Sequence, residues 1–344
     1  MISVLIVDDS AFMRKAIEKM ISGERDISIV AIAKNGAEAV EMNKKFRPDI
    51  ITMDIEMPVM TGIEALKIIM REAPTNVIMI SSLTQEGADV TLEALQLGAV
   101  DFIPKKMSFV SLDIIGIKND LLAKMRAFAA RKNAKVVRTS PVFIPRERDS
   151  HKVIRQSIQA SLVTIGVSTG GPPALQILIP ALPKDFPVPI LIVQHMPPAF
   201  TGPLARRLDT LSQINVKEAE DGESLRPGVA YIAPGGKHLQ VRRRGLISLT
   251  VNPMGKRHIP SVDILDSSAA EYYGADMIGV ILTGMGNDGY EGLTLCKRQG
   301  AYILAQDEDS CVVYGMPRAV VEGGLADEVL PLHMIAPRLT ELMK

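Results

Sequence analysis

Short apolar runs rich in β-branched residues recur along the first third of the chain, each followed by a segment whose apolar positions repeat every three or four residues. ISVLIV precedes AFMRKAIEKMI, ISIVAIA precedes GAEAVEMNKKF, and DIITM precedes GIEALKIIMREA; VIMISS then precedes GADVTLEALQLGA, and VDFIP precedes SLDIIGIKNDLLAKMRAF. The first member of each pair predicts a strand and the second a helix. Nearly continuous apolar strands need cover on both faces, so the pattern predicts a five-stranded parallel, doubly wound sheet.

The alternation stops between residues 130 and 157, where Pro141 and Pro145 interrupt a basic stretch with no sustained period. That segment reads as an extended connector. From Leu162 the pattern resumes. SLVTIGVS predicts a strand, Pro172 and Pro173 open a helix continued by ALQILIPAL, and VPILIVQH is a strand ending in Gln194 and His195. GVAYIAP is β-like, and HLQVRRRGLISLTV predicts a hairpin turning near Arg244 and Gly245. SVDILDSSAAEYYG, MIGVILTGMGNDG, YEGLTLCKRQG and AYILAQ then read as helix, strand, helix and strand. The expected organisation is an α/β domain over 1–125, a helix end and linker over 126–157, and a second, mainly parallel α/β domain over 158–344. A chain of 344 residues is long enough for two such cores.

Composition narrows the classes of function. Lys plus Arg and Asp plus Glu both number 39, so no overall field draws the chain to nucleic acid or to an acidic membrane. The basic connector has neither interleaved aromatics nor a recognition-helix pattern, and nucleic acid is not an expected partner. No apolar run approaches the ~18 residues of a membrane span, and MISVLIVDDS lacks a charged segment leading into an apolar one. The chain is expected to be cytoplasmic and not membrane-inserted. Cys296 and Cys311 form no C-x-x-C and read as reduced structural thiols.

Ligands of doubly wound sheets bind beyond the carboxyl ends of the strands. In the first half, that edge carries Asp8 and Asp9 after the first strand, Asp54 ending the third, Ser81 and Ser82 ending the fourth, and Lys105 after the fifth. Any one of these could be a turn or cap residue. Strand termination, however, does not require all of them together, and the set suits a hard divalent cation with a phosphoryl group. VLIVDDS, ITMDIEMPVMTG and VDFIPKK resemble the response-regulator receiver family. The resemblance implies Asp54 as phosphoacceptor, with Asp8, Asp9, Asp54 and the backbone carbonyl of Glu56 holding Mg²⁺. It further implies Ser81 as switch hydroxyl, Lys105 as the cation paired with the phosphoryl group, Phe102 at the aromatic switch position, and a histidine kinase as phosphodonor.

In the second half, Ser168 lies within the G-x-S-x-G of IGVSTGGPPAL, His195 follows the next strand, and Asp288 follows MIGVILT through GMGN. A nucleophilic hydroxyl needs a base within hydrogen-bond reach and a carboxylate to orient that base. Each residue also has a plainer reading: Ser168 and Asp288 as helix caps, His195 as a core histidine. Among the other histidines, His151 falls in the connector, His238 in the β-rich stretch, His258 in the basic GKRHIP loop, and His333 at the end of the last strand. Only His195 follows an apolar strand in the same sheet run as Ser168. The chain order Ser, His, Asp differs from that of the α/β-hydrolases, so that fold is not expected. A dinucleotide site at GVSTGG lacks the full glycine spacing and an acidic residue for a ribose.

IGVSTGGPPAL, LIVQHMPPAFTGPLARRL, YIAPGGKHL, HIPSVDILDSSAA, ILTGMGNDG and SCVVYGMPRAV resemble the catalytic domain of the chemotaxis protein-glutamate methylesterases. With the receiver in front, the likeness spans nearly the whole chain. It implies Ser168 as nucleophile, His195 as general base and acid, and Asp288 as the orienting carboxylate, with oxyanion donors from the loop of Met285 and Gly286 and Thr169 close by. The implied activity is phosphorylation-activated hydrolysis of γ-glutamyl methyl esters on methyl-accepting chemotaxis receptors, at membrane receptor arrays. Mg²⁺ would serve the receiver and no cofactor the ester hydrolysis; some members of the family also deamidate receptor glutamines. The readings from other classes are a receiver joined to a DNA-binding regulator, which requires a helix-turn-helix with a basic face, or to a non-catalytic interaction domain.

Overall fold

The computed structural model describes residues 1–105, 113–130, 159–251 and 258–344. His151, the expected connector from residue 131 onward, and Lys256 and Arg257 of the GKRHIP loop lie outside the described residues. The chain divides into two compact units, Met1–Val136 and Val137–Lys344.

In the first unit, strands β1 (Ile2–Val7), β2 (Ile27–Ala33), β3 (Ile50–Asp54), β4 (Asn76–Ser82) and β5 (Asp101–Lys105) alternate with helices α1 (Ala11–Ile21), α2 (Gly36–Phe46), α3 (Gly62–Glu72), α4 (Gln85–Gln96) and α5 (Asp113–Ala130). All strand pairs are parallel, in the order β2-β1-β3-β4-β5. The direction of winding reverses between β1 and β3, so the carboxyl ends of those two strands open a crevice. β3, in the centre, is buried along its whole length, Thr52 and the terminal Asp54 included. After it the chain turns sharply into α3. A capping box stabilises that start: Glu64 N–H donates to Thr61 Oγ1, and Thr61 N–H donates to the Glu64 carboxylate. The helix start is pressed so closely on β3 that a Cβ at Gly62 would lie 2.0 Å from the carbonyl oxygen of Asp54.

The second unit contains β6 (Leu162–Val167), β7 (Ile190–Gln194), β8 (Asn215–Glu218), β9 (Val229–Ile232), β10 (His238–Arg242), β11 (Leu246–Thr250), β12 (Met277–Ile281), β13 (Tyr302–Gln306) and β14 (Glu328–Leu330). Its helices are α6 (Gly171–Leu178), α7 (Pro198–Leu211), α8 (Val262–Tyr273), α9 (Tyr290–Arg298), α10 (Met316–Glu322) and α11 (Leu332–Leu342). Seven strands form a wholly parallel sheet in the order β14-β13-β12-β6-β7-β9-β8. β10 and β11 form the expected antiparallel hairpin, turned through Gly245 at φ 68°. The chain winds outward from β6 through β7 and later returns to β12 on the other side. β6 is therefore the strand where the order reverses, and the ends of β7 and β12 flank its own.

Four elements lie where the apolar pattern predicts none: α7, β8, α10 and α11. β8 and β14 are short edge strands of mixed burial, without the apolar run that marks a central strand. Pro203 and Pro337 lie inside α7 and α11 and obscure their period. His333, expected at the end of the last strand, sits in the first turn of α11.

Substitution Gly62→Ala is expected to lower the stability of the first unit by about 1–3 kcal/mol, the range for overpacking a tight site. Urea unfolding should show a lower midpoint at unchanged slope. An unaltered midpoint would mean that α3 can retreat from Asp54 at little cost.

Candidate esterase site and acidic pocket

The crevice at the ends of β1 and β3 is a cavity of about 480 Å³ lined by Asp9, Asp54, Glu56, Ser82 and Lys105 among others. Asp8 is fully buried beside it, and one carboxylate oxygen from each of Asp8, Asp9 and Asp54 lies within 4.8 Å of the other two. Lys105 Nζ reaches Asp54 Oδ2 at 2.6 Å and stands 3.5 Å from Asp8 Oδ2, which accepts no hydrogen bond. Asp54 Oδ1 accepts from the Ile55 N–H at 2.7 Å.

Burial pushes the Asp54 carboxyl up to about 6, and the nearby Asp8 charge adds to this, despite the opposing pull of Lys105. Burial likewise raises Asp8. Lys105 is also raised: burial works against its charge, but Asp54 and Asp8 together outweigh it. The shifts agree on one picture. One ammonium gains from Asp54 and Asp8, while Asp8 adds to the rise of Asp54 and Asp9 to that of Asp8. An all-oxygen set with excess negative charge and an orphaned buried oxygen fits a hard divalent cation such as Mg²⁺.

Ser81, expected as the switch hydroxyl, is buried and directed toward α4. Its Oγ accepts from Thr91 Oγ1 at 2.6 Å and lies 3.3 Å from the Gly87 carbonyl. The side chain lining the cavity at this strand end is Ser82, because neighbours on a strand face opposite ways. Phe102 is buried on β5, with Lys124 Nζ donating to its carbonyl at 2.8 Å and lying 5.8 Å from its ring centre.

In the second unit, the structure brings Ser168, His195 and Asp288 together around the end of β6. His195 Nδ1 lies 3.1 Å from Ser168 Oγ, and His195 Nε2 lies 2.7 Å from Asp288 Oδ2. Ser168 is not the cap of α6, a place taken by Gly170 at φ 76°. Asp288 does not cap α9 either; it serves α8. Its oxygens accept from Val262 N–H at 2.7 Å, Asp263 N–H at 3.1 Å and Ser261 Oγ at 2.8 Å. Burial opposes the Asp288 charge, but His195 and these helix-end donors hold the carboxyl well below the usual carboxylate range.

The Ser168 N–H is committed to the Thr283 carbonyl at 3.0 Å. The backbone N–H groups of Thr169, Met285 and Gly286 donate to no other described residue and remain available to an anion. Gly284 lets this loop close on Ser168, since a Cβ there would lie 2.9 Å from Ser168 Cβ.

Several residues escape the sequence reading. Gln194 is buried, and its Nε2 donates to the carbonyls of both Ser168, at 3.0 Å, and His195, at 3.2 Å, tying the two strand ends together. An amide at the end of an otherwise apolar strand was the available signal. His258 stacks on His195, ring centres 4.5 Å apart and planes within 8°. His238 is buried on β10 and joins neither contact of the Ser168–His195–Asp288 chain.

A sequence model of the CheB methylesterase family matches residues 163–339, and one of the response regulator receiver domain matches residues 4–114. The protein-glutamate methylesterase/protein-glutamine glutaminase 1 of Oleidesulfovibrio alaskensis is 49% identical over 360 residues, covering 98% of each chain. The protein-glutamate methylesterase/protein-glutamine glutaminase of Thermotoga maritima is 47% identical over 345 residues, covering 99% of this chain and 98% of its own. The crystal structure of the Thermotoga maritima CheB methylesterase catalytic domain matches with a TM-score of 0.52 at 49% identity, over 53% of this chain and 98% of that one.

A buried carboxyl raised in the folded state makes its stabilising contribution below its unfolded value of 3.8 and loses it as pH climbs through about 6. With divalent cations chelated, the first unit should therefore be less stable at pH 7.5 than at pH 5. Asp54→Asn should flatten that dependence and stabilise the unit at pH 7.5 by about 1–3 kcal/mol. Urea midpoints at the two pH values provide the check, and equal wild-type midpoints would contradict the electrostatic account.

Proposed function

The chain belongs to the CheB methylesterase family, and we propose that its Ser168–His195–Asp288 chain performs the family's ester hydrolysis by acyl transfer. The protein is a phosphorylation-regulated protein-glutamate methylesterase, a carboxylic ester hydrolase with a response regulator receiver domain. The observation that carries the mechanism is the His195 ring, bridging Ser168 Oγ at 3.1 Å and Asp288 Oδ2 at 2.7 Å.

An ionised carboxylate only accepts, so Nε2 keeps its proton and Nδ1 turns a lone pair to the serine. Ser168 Oγ attacks the γ-carbonyl carbon of the glutamyl methyl ester as its proton passes to Nδ1. The tetrahedral oxyanion is met by N–H groups of the Met285–Gly286 loop and Thr169, arranged before the reaction begins. His195 then protonates the departing methoxide, and methanol leaves a γ-glutamyl ester on Ser168. Water, deprotonated by Nδ1, releases the glutamate. With a primary amide in place of the ester, the same cycle would release ammonia, the glutaminase activity in the relatives' names.

In the receiver, Asp54 is the proposed phosphoacceptor and Lys105 the partner of the transferred group, supplied by a histidine kinase. Asp8, Asp9 and Asp54, with the Glu56 carbonyl, would hold Mg²⁺, which neutralises the acidic cluster and supports phosphoryl transfer. Ser81 would leave Thr91 and Gly87 to bond the phosphoryl oxygen. The proposed substrates are methyl-accepting chemotaxis receptors, reached by recruitment to their arrays. Among the described residues, no helix is long and apolar enough to cross a membrane.

Ser168→Ala should fold normally, because Oγ caps no helix, yet lose roughly 10⁴-fold or more in methanol release from methylated receptor. Native circular dichroism with retained turnover would refute the nucleophile. In the full chain, Asp54→Asn should abolish the rate increase produced by a phosphodonor. EDTA should block phosphorylation while sparing basal hydrolysis; loss of basal activity on chelation would refute a metal-free esterase.

A further inference from the structure

Gln194 is the one polar residue of β7, and it is buried with the rest of that strand. A buried primary amide is costly unless its donors are used. Here they are: Nε2 donates to the Ser168 carbonyl at 3.0 Å and to the His195 carbonyl at 3.2 Å. The residues so joined are the two whose side chains meet at Ser168 Oγ and His195 Nδ1, 3.1 Å apart.

The clamp lies just past the end of the sheet ladder. The β6–β7 register ends with Val167 opposite Gln194, and the next main-chain bond runs from His195 N–H to the Val167 carbonyl at 3.2 Å. Beyond it the chain leaves both strands, through Gly170 into α6 and through Pro197 into α7. Ser168 and His195 therefore stand one step outside the pairing that aligns the strands behind them. The Gln194 amide supplies the missing cross-link. Its two N–H groups share one nitrogen in a rigid plane, so the carbonyls they bind keep a set separation. The other main-chain bonds of Ser168 go elsewhere: its N–H donates to the Thr283 carbonyl at 3.0 Å, and its carbonyl accepts from Gly171 N–H at 2.8 Å.

The acceptor side of the amide is idle. Oε1 is buried, accepts no hydrogen bond among the described residues, and is packed on Gly171, where a Cβ would lie 1.8 Å from it. A methionine of similar length would leave no orphaned oxygen, so the donors are what distinguish glutamine at this position.

We infer that Gln194 is a positioning residue of the esterase site: its amide clamps the main chains of Ser168 and His195 and so keeps Nδ1 in line with the serine hydroxyl. This rests on the acyl-transfer reading above and deepens it. Gln194→Met removes both donors at nearly equal length. Gln194→Glu keeps the outline of the side chain with at most one donor.

The experiment measures methanol release from methylated receptor by the full chain for wild type, Gln194→Met, Gln194→Glu and Ser168→Ala, each checked by circular dichroism. It is run at steady state and in a single turnover with enzyme in saturating excess, where methanol release reports acylation alone. Gln194→Met and Gln194→Glu should each lose about ten- to a hundredfold in kcat with KM unchanged, and the single-turnover rate should fall with kcat. A natively folded Gln194→Met with wild-type kcat would overturn the inference, even if its urea midpoint were lower, because the amide would then serve stability alone. A loss confined to KM, or a slower kcat with acylation at the wild-type rate, would overturn it equally. Should Gln194→Met fail to fold, the same readings on Gln194→Glu decide. Retained turnover in Ser168→Ala would instead overturn the acyl-transfer reading itself, whatever the Gln194 variants do.

Discussion

The hydrogen bond between His195 Nε2 and Asp288 fixes where the imidazole proton resides, and the acyl transfer proposed at Ser168 depends on that placement. The ring is placed end for end relative to the serine-protease arrangement, with Nδ1 toward Ser168. Either imidazole nitrogen can act as a base once the other is committed to a carboxylate. What the fold must provide is a carboxylate kept ionised in a place with little water. It does so with the N-terminus of α8, whose unpaired N–H groups and dipole favour negative charge. The sheet order supplies the rest: β6 lies between β7 and β12, so the ends of three sequence-distant strands meet at one point.

The two units treat crowded carboxylates differently. In the receiver, Asp8, Asp9 and Asp54 face one lysine, a deficit of positive charge that an incoming divalent cation would remove. In the esterase, the buried Asp266 lies near Asp288, which is bonded to His195 and to the start of α8. There the balance is met by a helix end and an imidazole. The first arrangement leaves room for added positive charge. The second holds a fixed negative charge on Asp288.

Much of this could be read from the chain itself, for physical reasons that also mark the limit. Asp8, Asp54, Lys105, Ser168 and His195 were visible because an apolar strand announces its own end, and ligands of parallel sheets gather there. Asp288 was harder: it stands seven residues beyond β12, and its competing role as a cap was assigned to the wrong helix. A cap donated across about 25 residues of sequence has no local signature. Gln194 and His258 act through main-chain hydrogen bonds and stacking, which leave no periodic trace. Ser81 and Ser82 were both marked, and the pleat of β4 decides which one faces the cavity. The edge strands β8 and β14 lacked the apolar run that made their neighbours legible.

Helices α8 and α9 cap each other: Asp288 accepts from the Val262 and Asp263 N–H groups that begin α8, and Asp263 Oδ1 accepts from the Gly289 and Gly292 N–H groups that begin α9. When a helix carries its own cap, its first turn can fray alone. Here, fraying at the start of α9 withdraws Asp288 from α8, and fraying of α8 withdraws Asp263 from α9. The two helix starts are thereby made one cooperative opening unit, and amide exchange at both should share a single opening free energy. Asp288 lies at their junction, so the bond it makes to His195 Nε2 is held in place only while both helix starts are closed.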